Sequence, residues 1–237
     1  MDWKQTIELT DLKSPRSKVL KLLTKKANNE GYLGVCVQAR DLLVIKKYAR
    51  EGLKLVTIAG FPPIIMFPRI HDLIKKDFRY SFLLGHYTRA EIKRIREIAK
   101  ENIADELDII FPFSWHTMGY DKRILHFLKG VKKIFPGKVK VIIELGTIFK
   151  EEKHLKKICS LLEEAGIDIV KTNSGLIKQS FTTLLAHVIV LKKITKLPIK
   201  ASGGIRSVGE AQLLIHSGVT RIGSSGLKNS QTEGENK

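Results

Sequence analysis

Cysteine is scarce: the 237 residues include two, Cys36 and Cys159. Both lie in apolar surroundings and form no paired framework, so reduced thiols in a cytoplasmic compartment are expected. No apolar run is long enough to span a bilayer. The opening stretch MDWKQTIELT has no apolar core, so no secretion signal is expected. CxxC pairs are missing, and the seven histidines show no ligand spacing, so no metal site is expected. There is no GxGxxG or P-loop signature to cradle a nucleotide. Acidic residues are few: 24 Asp plus Glu face 42 Lys plus Arg, for a net charge of +18. That excess suits either a polyanion partner or a lysine-rich surface around an anionic small substrate. The lysines are spread over every expected helix, with no arginine–aromatic cluster, so no specific nucleic-acid partner is expected. Non-specific binding at low salt would be ordinary.

What the chain does have is a beat. A helical pattern closes at a glycine or another turn residue, and a short β-rich run follows. Candidate strands cover 7–12, 32–37, 53–60, 106–112, 138–145, 167–173, 198–204 and 220–225. Most are nearly continuous apolar runs, as parallel strands covered on both faces require. Ser14-Pro15 reads as an N-cap with proline at the first helical position, and Gly31 closes that helix. Asp41 can cap a helix running to Gly52. Thr88 with Glu91 and Ser207 with Glu210 have capping-box spacing. Residues 180–195 form a helix apolar enough to be well covered. Eight βα units without a linker predict a single-domain α/β protein, a (β/α)8 TIM barrel over 1–228. A doubly wound open sheet is the alternative. Residues at about 62–87 break the beat and read as an insertion near the barrel mouth, and the polar tail 229–237 reads as disordered.

The chain is organised around DIVKTNSG, residues 168–175. It reads as a buried strand that ends in Lys171 and runs into a Ser-Gly turn. A buried lysine is costly unless neutral or paired. IKASGGIR, residues 199–206, repeats the arrangement with Lys200. In such a barrel the reactive face lies at the strands' C-terminal ends, where Asp108, Glu144, Lys171 and Lys200 fall. Lys140 shares parity with Ile142 and Glu144 and could reach the same interior. These charges could form structural ion pairs. Alternatively, a second cation and a dry site could free one amine as a nucleophile. Moving a lysine from about 10.4 to about 7 needs roughly 4–5 kcal/mol. A neutral amine attacks a carbonyl and gives a Schiff base, the route to aldol chemistry without a metal. Gly203-Gly204 and Gly223-Ser224-Ser225 follow the seventh and eighth strands, the usual phosphate corner of this fold. Tight turns alone would also explain them. Cys36 ends an apolar strand and reads as core.

These motifs, IELTDLKSP, GVCV, TIAGFP, ADELDIIFP, KVIIE, VKTNSG, IKASGGIR and TRIGSS, run in the order of one family over about residues 7–228. The chain resembles deoxyribose-phosphate aldolase, a class I aldolase with a (β/α)8 fold. The resemblance implies Lys171 as the Schiff-base lysine and Lys200 as the helper that lowers its pKa. It implies Asp108 as the partner that relays protons with that lysine and a water. It puts the phosphate against Gly175, Gly203, Gly204 and Gly223, with Ser224 and Ser225 nearby; Thr10, Cys36 and Lys140 are supporting candidates. The implied reaction is reversible cleavage of 2-deoxy-D-ribose 5-phosphate to acetaldehyde and D-glyceraldehyde 3-phosphate, with no metal or organic cofactor. A homodimer is implied, and no membrane partner. A Schiff-base aldolase for another phosphosugar, or a barrel kept as a basic binding protein, are the alternatives. The chain departs from the family at Asn173-Ser174, where Ser-Thr is usual, and at Glu8, where Asp is usual. The stretch after Gly60-Phe61-Pro62 is long, and the tail lacks a C-terminal tyrosine found in some members.

Overall fold

The computed structural model describes residues 2–13, 16–61, 87–148, 152–175, 177 and 179–227. Eight strands alternate with helices along the chain: β1 (Ile7–Asp11), α1 (Ser17–Asn29), β2 (Gly34–Val37), α2 (Leu42–Lys46), β3 (Lys54–Ala59), α3 (Arg89–Glu101), β4 (Glu106–Ile110), α4 (Phe113–Thr117), α5 (Asp121–Ile134), β5 (Lys138–Ile142), α6 (Leu145–Ile148), α7 (Glu152–Glu164), β6 (Ile169–Lys171), α8 (Phe181–Ile194), β7 (Ile199–Ser202), α9 (Val208–His216) and β8 (Arg221–Ser224). Every strand pairs in parallel with the next, and β8 pairs with β1, which closes the barrel. The expected (β/α)8 architecture is what the chain adopts.

The alternation of the strands creates two buried regions. Outward residues such as Val35, Leu107, Val139, Val141 and Val170 pack under the helices. Inside the barrel a small apolar cluster of Cys36, Val56 and Ile58 covers one wall. Beside it, the interior carries a cluster of charges. Register places Asp108 beside Lys140, and Lys171 beside Lys200. Four neighbouring strands thus aim these side chains at one axis.

The ends of the elements depart from the sequence reading in instructive ways. The capping box at Ser207 and Glu210 is complete, with both reciprocal hydrogen bonds. Thr88 accepts the Glu91 amide and caps α3 on its own. Asp41 occupies the cap position of α2 without a side-chain bond, and α2 stops at Lys46, short of Gly52. The expected coverage of α8 is incomplete, since Ile189 on it is exposed. The strand expected over 138–145 ends at Ile142; Glu144 takes a left-handed backbone conformation with φ of 44°, and α6 follows from Leu145. The Ser14-Pro15 cap, the insertion expected at about 62–87 apart from Tyr87, and the tail 229–237 lie outside the described residues; α1 begins at Ser17.

Candidate active site

Six charges fill the barrel axis: Glu8, Glu106 and Asp108 against Lys140, Lys171 and Lys200, all at most 2% exposed. A buried charge costs several kcal/mol unless it is paired. Here each has a partner. Lys140 Nζ lies 2.9 Å from Asp108 Oδ1, 2.5 Å from Glu106 Oε2 and 3.4 Å from Glu8 Oε1. Lys200 Nζ pairs with Glu8 Oε2 and lies 2.9 Å from Asp108 Oδ2. Lys171 Nζ donates to the same Asp108 Oδ2 at 2.8 Å. Arg221 reaches Glu106 at 3.5 Å from below. Asp108 is therefore the hub, with all three amines on its two oxygens.

The electrostatics follow from this arrangement. Burial opposes ionisation of Asp108, but Lys140, Lys171 and Lys200 outweigh it and hold the carboxyl well below the usual carboxylate range. Burial likewise opposes charge on Glu8, and Lys140 and Lys200 override it, so that its pKa is lowered. Burial disfavours the Lys200 ammonium, yet Asp108 and Glu8 more than compensate, and its pKa is raised. Lys140 is likewise raised by Asp108, Glu8 and Glu106 against the same penalty. Lys200 is thus a fixed cation. The sequence allows either carboxylate ion pairs or two lysines acting on each other directly; in the structure the lysines are ion-paired, and an Asp108 oxygen stands between Lys171 and Lys200.

Above this cluster opens a cavity of about 700 Å³. Lys171 is the member of the charge cluster that reaches it. Of the other expected site residues, Thr10, Gly175, Gly203, Gly204, Gly223, Ser224 and Ser225 line the cavity, while Asp108, Lys200, Lys140 and Cys36 lie beneath it. Gly203 and Gly204 have φ of 90° and 81°, a region that side chains resist. Gly223 is needed for space: a Cβ there would sit 3.1 Å from Ser202 Cβ and 3.2 Å from Lys200 Cε. The Ser224 hydroxyl donates to Ile205 O at 3.0 Å and accepts from Gly226 N at 3.2 Å, so it joins the β7 and β8 turns. Cys36 is buried, which pushes its thiol up to about 11, and it is core rather than nucleophile.

Several residues of the site escaped the sequence reading. Glu8 figured there only as a departure from a family pattern, and Glu106 not at all. A carboxylate sharing the inward parity of a buried strand was the available signal for both. Asn173 donates to Ser202 O at 3.0 Å and accepts from Gly146 N at 3.2 Å, tying three loops together. Lys13 and Lys26 also line the cavity and add positive charge at its wall.

A nucleophile-capable amine at the floor, a shared carboxylate behind it and a glycine-rich wall suit covalent chemistry on a carbonyl of an anionic substrate. Comparison with known proteins points the same way. The chain is 31% identical to the deoxyribose-phosphate aldolase of Thermococcus gammatolerans over 235 residues, 95% of this chain and 93% of that one. It is 29% identical to the deoxyribose-phosphate aldolase of Clostridioides difficile over 237 residues, covering 96% of each. Among solved structures it is similar to an aldolase named QR15, with a TM-score of 0.78 and 26% identity over 95% of this chain and 92% of that one. It is also similar to the deoxyribose phosphate aldolase of Aeropyrum pernix, described as tetrameric, with a TM-score of 0.73 and 25% identity over 94% and 87%. No protein-family model matches the chain.

Proposed function

The chain belongs to the deoxyribose-phosphate aldolase family, and on that premise we propose that Lys171 is the Schiff-base nucleophile in cleavage of 2-deoxy-D-ribose 5-phosphate. The observation that carries the assignment is the amine of Lys171 at the cavity floor, hydrogen-bonded to the Asp108 oxygen that also holds Lys200. In the productive state the Lys171 amine, freed of its extra proton, adds to the C1 aldehyde of the open-chain sugar, and loss of water gives an iminium ion. Removal of the C3 hydroxyl proton breaks the C2–C3 bond. The bonding electrons pass into the iminium and leave an enamine, while D-glyceraldehyde 3-phosphate departs. Protonation at C2 and hydrolysis then release acetaldehyde and restore the amine. Asp108 and Lys200 form the proton reservoir for these transfers, through water where the reacting atom is out of reach. The fixed charge on Lys200 keeps Asp108 ionised and ready to accept.

Gly175, Gly203, Gly204, Gly223, Ser224 and Ser225 form the phosphate corner in this reading, chiefly through backbone N–H groups. Lys13 and Lys26 on the same cavity supply long-range attraction for the dianion. Self-association as a homodimer is part of the proposal; light scattering gives the state directly. A cytoplasmic setting fits the two free, buried thiols. No helix among the described residues is long and apolar enough to cross a membrane.

The decisive experiment is borohydride trapping with deoxyribose 5-phosphate, read by peptide mass spectrometry. The expected result is one reduced adduct on Lys171 that is absent in Lys171→Leu. A folded protein that forms no adduct on any lysine would refute the assignment.

A further inference from the structure

The turn after Lys171 is held by a part of the structure that the aldolase chemistry does not use. Four consecutive residues at the end of β5 each bond a residue of the segment 171–174. Ile143 N–H donates to Lys171 O at 3.0 Å, and Leu145 N–H to Thr172 O at 2.7 Å. Gly146 N–H donates to the Asn173 side chain at 3.2 Å. In the reverse direction, Ser174 N–H donates to the Glu144 carboxylate, at 3.2 and 3.4 Å to its two oxygens. The pairing continues past the end of both strands because Glu144 adopts its left-handed conformation there, at a cost of about 1 kcal/mol or more. Ser174 and Gly175, at the far end of the stitch, line the substrate cavity. Glu144 itself is 1% exposed and does not line it.

We propose that Glu144 is a positioning residue: its carboxylate grips Ser174 and thereby fixes the cavity wall that leads from Lys171 to the phosphate corner. The inference rests on the aldolase reading for its effect on turnover, but the grip itself is a property of the fold. A purely structural acceptor at this place could be an amide. An acid makes the grip depend on protonation. Burial raises the Glu144 carboxyl to about 7, with hydrogen bonds from the Ser174 side chain and backbone, and the charge of Lys171, pulling the other way. Among the described residues, Lys171 on β6 is a charged group acting on it, and Ser174 is neutral. The ionised carboxylate accepts from both the amide and the hydroxyl of Ser174. Protonation removes acceptor capacity, so the turn is firm above pH 7 and loosens below it.

Two readouts test this together. The first is the amide proton resonance of Ser174, followed by NMR from pH 5.5 to 8.5. It should titrate with a midpoint near 7, and that titration should vanish in Glu144→Gln. The second is the pH dependence of KM for deoxyribose 5-phosphate. With a midpoint near 7, the ionised fraction falls about eightfold between pH 7.5 and 6. KM in the wild type should rise by up to that factor relative to Glu144→Gln, and the change in KM should exceed the change in kcat. Comparing the two proteins cancels the second ionisation of the substrate phosphate, itself near pH 6. Glu144→Leu, which leaves the Ser174 amide without an acceptor, should raise KM at every pH. A Ser174 amide that does not titrate, or parallel KM profiles in wild type and Glu144→Gln, would overturn the proposal. If the amide titrates in a protein without aldolase activity, the grip stands and the aldolase assignment falls.

Discussion

Asp108 is the test case for the charge cluster. Asp108→Asn keeps the shape but removes the charge that three buried ammonium groups share, at 2.9 Å from Lys140, 2.8 Å from Lys171 and 2.9 Å from Lys200. It also turns an amide N–H₂ group towards donors. Breaking a buried pair by deleting one partner costs about 3–5 kcal/mol. For a chain of this size each kcal/mol is worth roughly 2–4 °C in Tm. Thermal unfolding followed by circular dichroism at pH 7 should therefore show a loss of about 6–20 °C. The pH dependence is the sharper part. The Asp108 carboxyl sits well below its ordinary value in the folded state. Its stabilisation is thus complete above the unfolded value near 4, and it fades only as pH falls through the lower folded value. At pH 7 the variant lacks all of it. Towards pH 10 an unpaired buried ammonium can shed its proton, which relieves the variant but not the wild type. The gap in Tm should narrow over that range. A loss under about 2 °C at pH 7, or a gap that stays constant to pH 10, would show that the cluster is not held together as described.

Two further outcomes follow from buried geometry. Gly223→Ala places a methyl group 3.1–3.2 Å from Ser202 Cβ and Lys200 Cε. Overpacking of this kind costs about 1–3 kcal/mol, and here it should also lower kcat by displacing Lys200. Gly226→Ala, with nothing within 4 Å of its new Cβ, is the control in the same turn, and equal effects from both would contradict the packing argument. The thiols of Cys36 and Cys159 are raised by burial to about 11 and about 12. An aromatic disulfide reagent at pH 8 should modify both at least about 100-fold faster in the unfolded chain than in the native one. Rapid labelling of the native protein would place at least one thiol at the surface.

The barrel was legible because its signals are local. A run such as GVCV is apolar on both faces, and only a parallel strand covered inside and out uses such runs repeatedly. The turn residues between runs marked each unit, and all eight strands lie within the expected ranges. Boundaries were harder. Glu144 looks like the last residue of a strand, but its backbone is set by bonds to a loop about 30 residues away in sequence. α2 stops at Lys46 although the pattern of helix-forming residues runs on to Gly52. Of the site, Lys171 and Lys200 stood out because a lysine on an apolar strand has few inexpensive explanations.

What the sequence determined alone was the set of elements and the residues aimed inward, since a period of two decides which side chains share a face. Two lysines at matching strand ends and glycine turns after the seventh and eighth strands were fixed at that level too. Only the tertiary structure decided how the inward charges pair. Glu8 and Lys200 are 192 residues apart, and Glu8 and Lys140 are 132 apart. No spacing rule links such positions. Barrel closure does, because pairing β8 with β1 brings the first strand to the last. That closure makes Asp108 Oδ2 the common acceptor of Lys171 and Lys200, and it leaves Lys171 as the amine of the cluster that faces the cavity.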